Sequence, residues 1–413
     1  MFFKRIICIS LVILLSLSIN VFSTDLTKYV WNSSSTPLEQ SVQTNTIINS
    51  EGNNSSLLNI KCESAILIEA KTGQILYEKN SHKQLRPASV TKLMTLLLIM
   101  EAIDSGTISY ADKVPCTETA AAMGGSQIWL DVREELTVDE MLKAICVVSA
   151  NDCTVAMAEF LYGSQESFVE KMNLKAKELG MNDTCFKNCH GLDEDGHLTS
   201  SYDISLMSKE LLNKHPDIKK YTTIWIDSLR DGKSELVNTN KLIKNYKGAT
   251  GLKTGSTSQA LFNLSASATR DNLSLIAVVM KGSTSAIRFE DAQKLLDYGF
   301  SNYTYKEIAK SGDVVKNIRI EKGSKNSLNL IFENSIGIVS NKKEGSNIEQ
   351  ILSIPDVISA PILQGDKVGE LSCLVDGKKV ETVNIIAQES VLKDTIGSLL
   401  KKIYKNWFYI CRT

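Results

Sequence analysis

Histidine is scarce in this 413-residue chain. Only four occur, His82, His190, His197 and His215, and none belongs to an H-E-x-x-H arrangement, which argues against a zinc peptidase of that type. There is no G-x-S-x-G nucleophile elbow and no phosphate-binding P-loop, so two common routes to hydrolase and nucleotide chemistry are closed. Net charge is also lacking. Lys and Arg number 46 against 47 Asp and Glu, a formal charge of -1. Such a balance gives no footprint for nucleic acid, and no nucleic-acid partner is expected. No internal repeat is visible. The rest of the composition, 43% hydrophobic and 23% charged, is that of a globular protein with room for two or three domains.

What is present begins with a targeting pattern. Lys4 and Arg5 precede an apolar run from Ile6 to Ile19, and Val21-Phe22-Ser23 supplies small residues for cleavage. Residues 1–23 therefore read as a secretory signal peptide, so that the protein is exported to the outer face of the cytoplasmic membrane or the cell wall. Of nine cysteines, Cys8 lies inside the apolar run and none follows it closely as a lipid-attachment site. The other eight are irregularly spaced. Cys185-x3-Cys189 has no second pair to complete a metal site, and mostly free thiols are expected.

Residues 24–58, rich in Ser, Asn and Thr, read as a flexible leader. From Ile60 onward, Ala65–Ala70 and Gln74–Tyr77 read as a β-hairpin. Pro87 opens a helix whose continuation, Leu93–Met100, is apolar nearly all round and so should be buried. Helical patterns follow over 137–162 and 165–180, then strands Leu264–Ala268 and Leu273–Val279, then a helix over Phe289–Tyr298. The fold class expected for residues 59–305 is an α/β (α+β) domain with helices around an antiparallel sheet. Short β-type runs over Ile318–Ile320, Leu328–Ile331, Ile336–Val339, Gly369–Val375 and Val380–Ile386 predict a small all-β sandwich over 306–388. In 389–413, Leu392, Ile396, Leu399, Leu400, Ile403, Trp407 and Ile410 recur at helical spacing among lysines, which predicts an amphipathic helix lying on a membrane surface.

Three short motifs carry the chemistry: Ser89-Val90-Thr91-Lys92, Ser149-Ala150-Asn151 and Lys253-Thr254-Gly255. A serine hydroxyl needs a nearby base to become a nucleophile. Lys92, three residues on, shares a helix face with Ser89. Burial and a second cation, for which Lys253 is the candidate, would lower its pKa enough for it to accept a proton. Ser149 can relay that proton to a leaving amine, and Asn151 can bond both the lysine and a substrate peptide. Lys253 and Thr254 suit a carboxylate, while Gly255 on an edge strand lets substrate backbone approach. The backbone N–H groups of Ser89 and Ser256 are candidates for an oxyanion hole. No metal and no cofactor is needed.

These motifs mark penicillin-binding proteins and class A β-lactamases. Their wider context, Arg86–Thr95, Gly125–Ile128, Ser149–Asp152, Leu179–Met181, His190–Asp193, Thr199-Ser200, Asp203 and Gly251–Gly255, resembles the low-molecular-mass D-alanyl-D-alanine carboxypeptidases over about residues 60–390. The resemblance implies a serine carboxypeptidase acting on peptidoglycan stem peptides, with Ser89 acylated, Lys92 accepting the proton, Ser149 shuttling it and Lys253 holding the carboxylate. It also implies β-lactams as covalent inhibitors. Two positions depart from the family pattern: Ala150, usually Gly, and Thr250, often acidic. The alternatives are a class A-like β-lactamase, for which Glu170-Lys171-Met172-Asn173 is one residue short of the deacylating E-x-x-x-N loop, and a non-catalytic peptidoglycan-binding protein.

Overall fold

The computed structural model describes residues 58–342, 348–375 and 377–395, together with Gly397 and Leu400. The expected signal peptide, the expected leader before Leu58 and most of the segment expected to form a terminal helix lie outside the described residues.

The hairpin expected after Ile60 is strands β1 (Ser64–Glu69) and β2 (Ile75–Lys79). Two further strands, β4 (Leu261–Arg270) and β5 (Leu273–Gly282), turn through Asp271 and Asn272, both with positive φ, and β3 (Ala249–Thr257) precedes them. All pair antiparallel in the order β2-β1-β5-β4-β3. The fold class is the one expected, with β3 at the sheet edge.

Side chains alternate across a sheet, and the continuous apolar run of β5 shows that both faces are covered. Leu275, Ala277 and Val279 pack with Phe289, Ala292, Leu295 and Leu296 of helix α6 (Ser285–Asn302). Ile276, Val278 and Met280 face the larger core, shared with helices α1 (Lys92–Asp104), α2 (Val138–Val147), α3 (Asn151–Tyr162), α4 (Gln165–Glu178) and α5 (Ser201–Lys214). Every residue of α1 from Lys92 to Met100 is buried, as its all-round apolar sequence requires. Gly299 of α6 lies so close to the sheet that an added methyl would sit 2.5 Å from Leu275.

The helical pattern over 137–162 is two helices, because α2 and α3 bury their apolar faces in the same core. Helix α2 starts on a capping box: Thr137 Oγ1 accepts from Glu140 N, and Glu140 accepts from Thr137 N. The chain breaks at Ser149, which has a left-handed φ of 67°.

Strand β6 (Tyr303–Ala309) starts directly after α6 and so straddles residue 305. It pairs with β9 (Ile336–Asn341) as a two-stranded ribbon. A six-stranded sheet, with β7 (Val314–Glu321), β8 (Ser327–Phe332), β10 (Ile348–Ser353), β11 (Val357–Ser359), β12 (Lys367–Val375) and β13 (Lys378–Ala387), has the order β10-β12-β13-β8-β7-β11. The ribbon and this sheet share one apolar core. The helix expected from residue 389 does not begin there. Val391 is fully buried and pairs with Ile362, and Lys393 pairs with Gly323. Residues 389–395 are extended instead, because Val391 completes the β core.

Candidate active site

Ser89 lies in a 3-10 turn, Ala88–Thr91, that runs straight into α1. Residues three apart eclipse in such a turn. Lys92 Nζ accordingly reaches Ser89 Oγ at 3.1 Å. The turn is clamped on both sides. Asn263 Nδ2 donates to the carbonyls of Arg86 and Pro87. A methyl on Gly255 of β3 would sit 2.9 Å from Ser89 N, and one on Gly191 only 2.0 Å from the Ala88 carbonyl. Glycine at 255 and 191 therefore lets an edge strand and a loop close on the serine, which remains half-buried and open to the cleft.

Lys92 is fully buried and has three neighbours. Besides Ser89 Oγ, it donates to Asn151 Oδ1 at 2.6 Å and to the His190 carbonyl at 2.7 Å. The latter two oxygens can only accept. A neutral amine has two N–H groups, enough for both, and one lone pair, which is left for the Ser89 hydroxyl. Burial first, and Lys253 second, hold the Lys92 pKa well below the ordinary lysine value. Lys253 is itself buried, and burial pulls its pKa down to about 7. Burial thus disfavours the charged form of both amines, with Lys253 as a further cause at Lys92 and Arg288 at Lys253.

Asn151 starts α3. Its Nδ2 donates to the Gly124 carbonyl at 2.6 Å, so one of its two amide hydrogens is committed to the protein. Asp152 beside it accepts from the backbone N–H groups of Ile128 and Leu130. Ser149 is buried, and its Oγ has no hydrogen-bond partner among the described residues. It is not hydrogen-bonded to Lys92 Nζ, whose three partners are Ser89, Asn151 and His190. Thr254 Oγ1 donates to Thr239 Oγ1 at 2.8 Å, and Lys253 Nζ donates to the Thr254 carbonyl. Ser256, one residue beyond Gly255, is exposed. The Ala150 side chain is fully buried in the main core, so its methyl does not narrow the cleft. Thr250 Oγ1 is bonded to Ser267 Oγ.

Several contributors carried no signal of their own in the sequence. The His190 carbonyl, Thr239 and Asn263 act through backbone position or across long sequence separations. Arg288, an arginine on the buried face of α6, donates to the Gly255 carbonyl and fixes β3 from behind. His197 Nε2 meets Thr91 Oγ1, while its Nδ1 accepts from Lys187 N. It thereby ties the loop that carries His190 to the serine turn. Burial lowers His190 to about 3 and His197 to about 4, so both are neutral. Asn173 is occupied with Val169 and Phe186, and Glu170 is exposed, so this pair does not build a β-lactamase water site. The seven described cysteines, Cys185 and Cys189 among them, are all free.

Comparison with known proteins gives matches over both parts of the chain. Residues 50–284 match the peptidase S11 model, described as D-alanyl-D-alanine carboxypeptidase, and residues 303–393 match the model of the penicillin-binding protein 5 C-terminal domain. The D-alanyl-D-alanine carboxypeptidase DacF of Bacillus subtilis is 45% identical over 361 residues, covering 86% of this chain and 92% of its own. Penicillin-binding protein 5 of Haemophilus influenzae superposes with a TM-score of 0.69 at 30% identity, covering 81% of this chain and 98% of its own. The ampicillin-bound penicillin-binding protein D2 of Listeria monocytogenes gives 0.54 at 30% identity, covering 59% and 99%.

Proposed function

The chain belongs to the peptidase S11 family and is a D-alanyl-D-alanine carboxypeptidase, and from that premise we propose that its reaction runs through an acyl-enzyme on Ser89 with Lys92 as the base. The observation that supports this reading is the set of three partners on Lys92 Nζ: two can only accept, so a neutral amine would keep its lone pair for the third, the Ser89 hydroxyl.

Lys92 takes the Ser89 proton as Oγ attacks the carbonyl carbon of the penultimate D-Ala. The oxyanion forms between the backbone N–H groups of Ser89 and Ser256. Lys253 and Thr254 hold the terminal carboxylate, Asn151 orients the peptide with its second amide hydrogen, and Gly255 leaves room for the substrate backbone. The scissile C–N bond breaks, and the leaving amine takes a proton that passes from Lys92 through Ser149. Once Ser89 is an ester it no longer occupies Lys92 as a hydroxyl does, and the unpartnered Ser149 hydroxyl can take its place. Water, deprotonated by the same lysine, then hydrolyses the ester. A β-lactam presents the same carboxylate and carbonyl and acylates the same oxygen.

The cellular setting belongs to the same proposal. Residues 1–23 direct export, 24–58 form a leader, 59–305 carry the reaction on peptidoglycan stems, 306–388 hold that part away from the membrane, and the basic amphipathic segment after Thr395 binds the membrane surface. Truncation after Thr395, which spares the buried Val391, is expected to release the protein from membranes, and continued sedimentation with them would refute the anchor.

Intact-mass analysis of the signal-free protein with a penicillin, alongside D-Ala release from a D-Ala-D-Ala stem peptide, tests the mechanism. A slowly hydrolysed one-to-one adduct on Ser89, absent in Ser89→Ala, together with D-Ala release is expected. An adduct on Ser89→Ala would overturn the nucleophile. Rapid penicillin turnover without D-Ala release would mean a β-lactamase, and no reaction of either kind a non-catalytic wall binder.

A further inference from the structure

Trp129 is 75% exposed, more than any other large hydrophobic residue described. It also has φ of +61°, a left-handed conformation that bulky residues rarely adopt. Two charged side chains hold it there. Asp152, fully buried, accepts from the N–H groups on either side, Ile128 and Leu130, both at 3.1 Å. Arg230 donates to the carbonyls of Ile128 at 2.8 Å and of Trp129 itself at 3.2 Å, and is anchored in turn on Glu134. Backbone strain of this kind persists only where the surroundings over-determine it. Here the result is a fixed backbone from which the indole projects into water.

The same loop is one wall of the cleft. Its Gly124 and Ser126 carbonyls accept from the Asn151 side chain and backbone, and Leu192 lies beside Gly125. Around the indole the loop is mostly polar, with Ser126, Asp131 and Arg133 at the surface and Gln127 half-buried, and Val132 adds one exposed apolar side chain. An exposed aromatic face on a fixed backbone, without an apolar pocket and fringed by hydroxyl, amide and charged groups, suits a flat ligand with an apolar face and polar edges. A pyranose ring has that character, whereas an aliphatic side chain would need a pocket.

We propose that Trp129 is a stacking platform for a sugar ring of the glycan strand that bears the stem peptide, so that the enzyme favours glycan-linked stems over free ones. This rests on the reading of the cleft as a stem-peptide site. The occupant is the glycan because the loop that carries Trp129 is bonded to Asn151 and Asp152 at the cleft wall, while Lys253, Thr254 and Gly255, which would hold the D-Ala-D-Ala end, lie on a different element, β3.

The test uses the full mature chain, Trp129→Ala and Trp129→Phe, with a free stem pentapeptide and a disaccharide-linked pentapeptide as substrates. Trp129→Ala is expected to lower kcat/KM on the disaccharide-linked substrate about fivefold to tenfold, the range of an aromatic stacking contact. The free peptide and penicillin acylation should stay within about twofold, and Trp129→Phe should keep most of the preference. Equal losses on both substrates, or no loss on either, would overturn the proposal. Penicillin acylation reports separately on the catalytic reading. Should Trp129→Ala fail to fold, tryptophan emission of the wild type titrated with a β-1,4-linked N-acetylglucosamine oligomer gives a second readout. A change that Trp129→Phe abolishes is expected, and an unresponsive wild type would contradict the platform.

Discussion

The two parts of the molecule bury different things. Before residue 303, the interior holds lysines, an arginine, histidines, aspartates and asparagines as well as an apolar core. Beyond residue 302, the buried polar residues among those described reduce to Ser372, and the core is Ile, Leu, Val, Ala and Cys. Burying a charge without partners costs far more than burying a methyl group. Lys92, Asn151, Lys253 and Thr254 are among the groups buried in the first part, which is where the proposed chemistry lies, whereas the second core holds no such group among the described residues.

That contrast predicts opposite outcomes for substitutions in the two parts. The largest effect belongs to Lys92→Met, which keeps length and burial but removes the base. Penicillin acylation should fall by about 10²–10⁴-fold, the usual span for a general base, as followed by stopped-flow or mass kinetics, while the melting temperature shows that the fold persists. A variant that acylates at the wild-type rate would erase the distinction between the parts. Leu330→Ala, in the second core, should lower stability by about 2–5 kcal/mol in denaturant unfolding. Its kcat/KM should nevertheless match the wild type at temperatures where it is folded.

Smaller, and confined to the first part, is an acid effect. His190 and His197 are held at about 3 and about 4, below the ordinary histidine value near 6.5. The unfolded chain therefore binds protons that the folded one refuses. Stability from these two groups is fully present above about pH 6.5 and is lost as pH falls toward 3, so the melting temperature should drop through that window. A flat profile would mean that these rings are charged in the fold. The smallest effect expected is that of Lys325→Ala, which removes an exposed ion pair with Glu389 and should change stability by less than about 1 kcal/mol, with no change in rate.

The contrast also explains what was legible in the sequence. Ser89 and Lys92 are three apart, so their meeting depends on local helical geometry alone. The three motifs likewise announce residues that act through their own side chains. The His190 carbonyl, the hold of Asn263 on the serine turn and the hold of Arg288 on β3 depend on contacts across many residues of sequence, which no local pattern encodes. In the second part, buried alternation revealed β7, β8, β9, β12 and β13. Strands β6, β10 and β11 went unrecognised because they lie largely exposed: Tyr303–Ala309 mixes aromatic and charged residues, and Ile348–Ser353 is an edge strand with almost no buried position. Ser149 is legible as the end of a buried helix from the apolar run Ile145–Val148 before it, but the apolar residues after it enter the same core, so 137–162 reads as one helical pattern.

The central claim is that Lys92 is neutral at physiological pH and therefore serves as the base for Ser89. The most direct measurement is the rate of penicillin acylation from pH 6 to pH 10. With Lys92 held well below the ordinary lysine value, the rate should already be maximal near neutrality. It should then decline on the alkaline side as Lys253, at about 7 in the free protein and higher once a carboxylate is bound, loses its charge. A rate that instead climbs about tenfold per pH unit up to the ordinary lysine value near 10.4 would mean that Lys92 is charged in the resting enzyme, and would contradict the assignment.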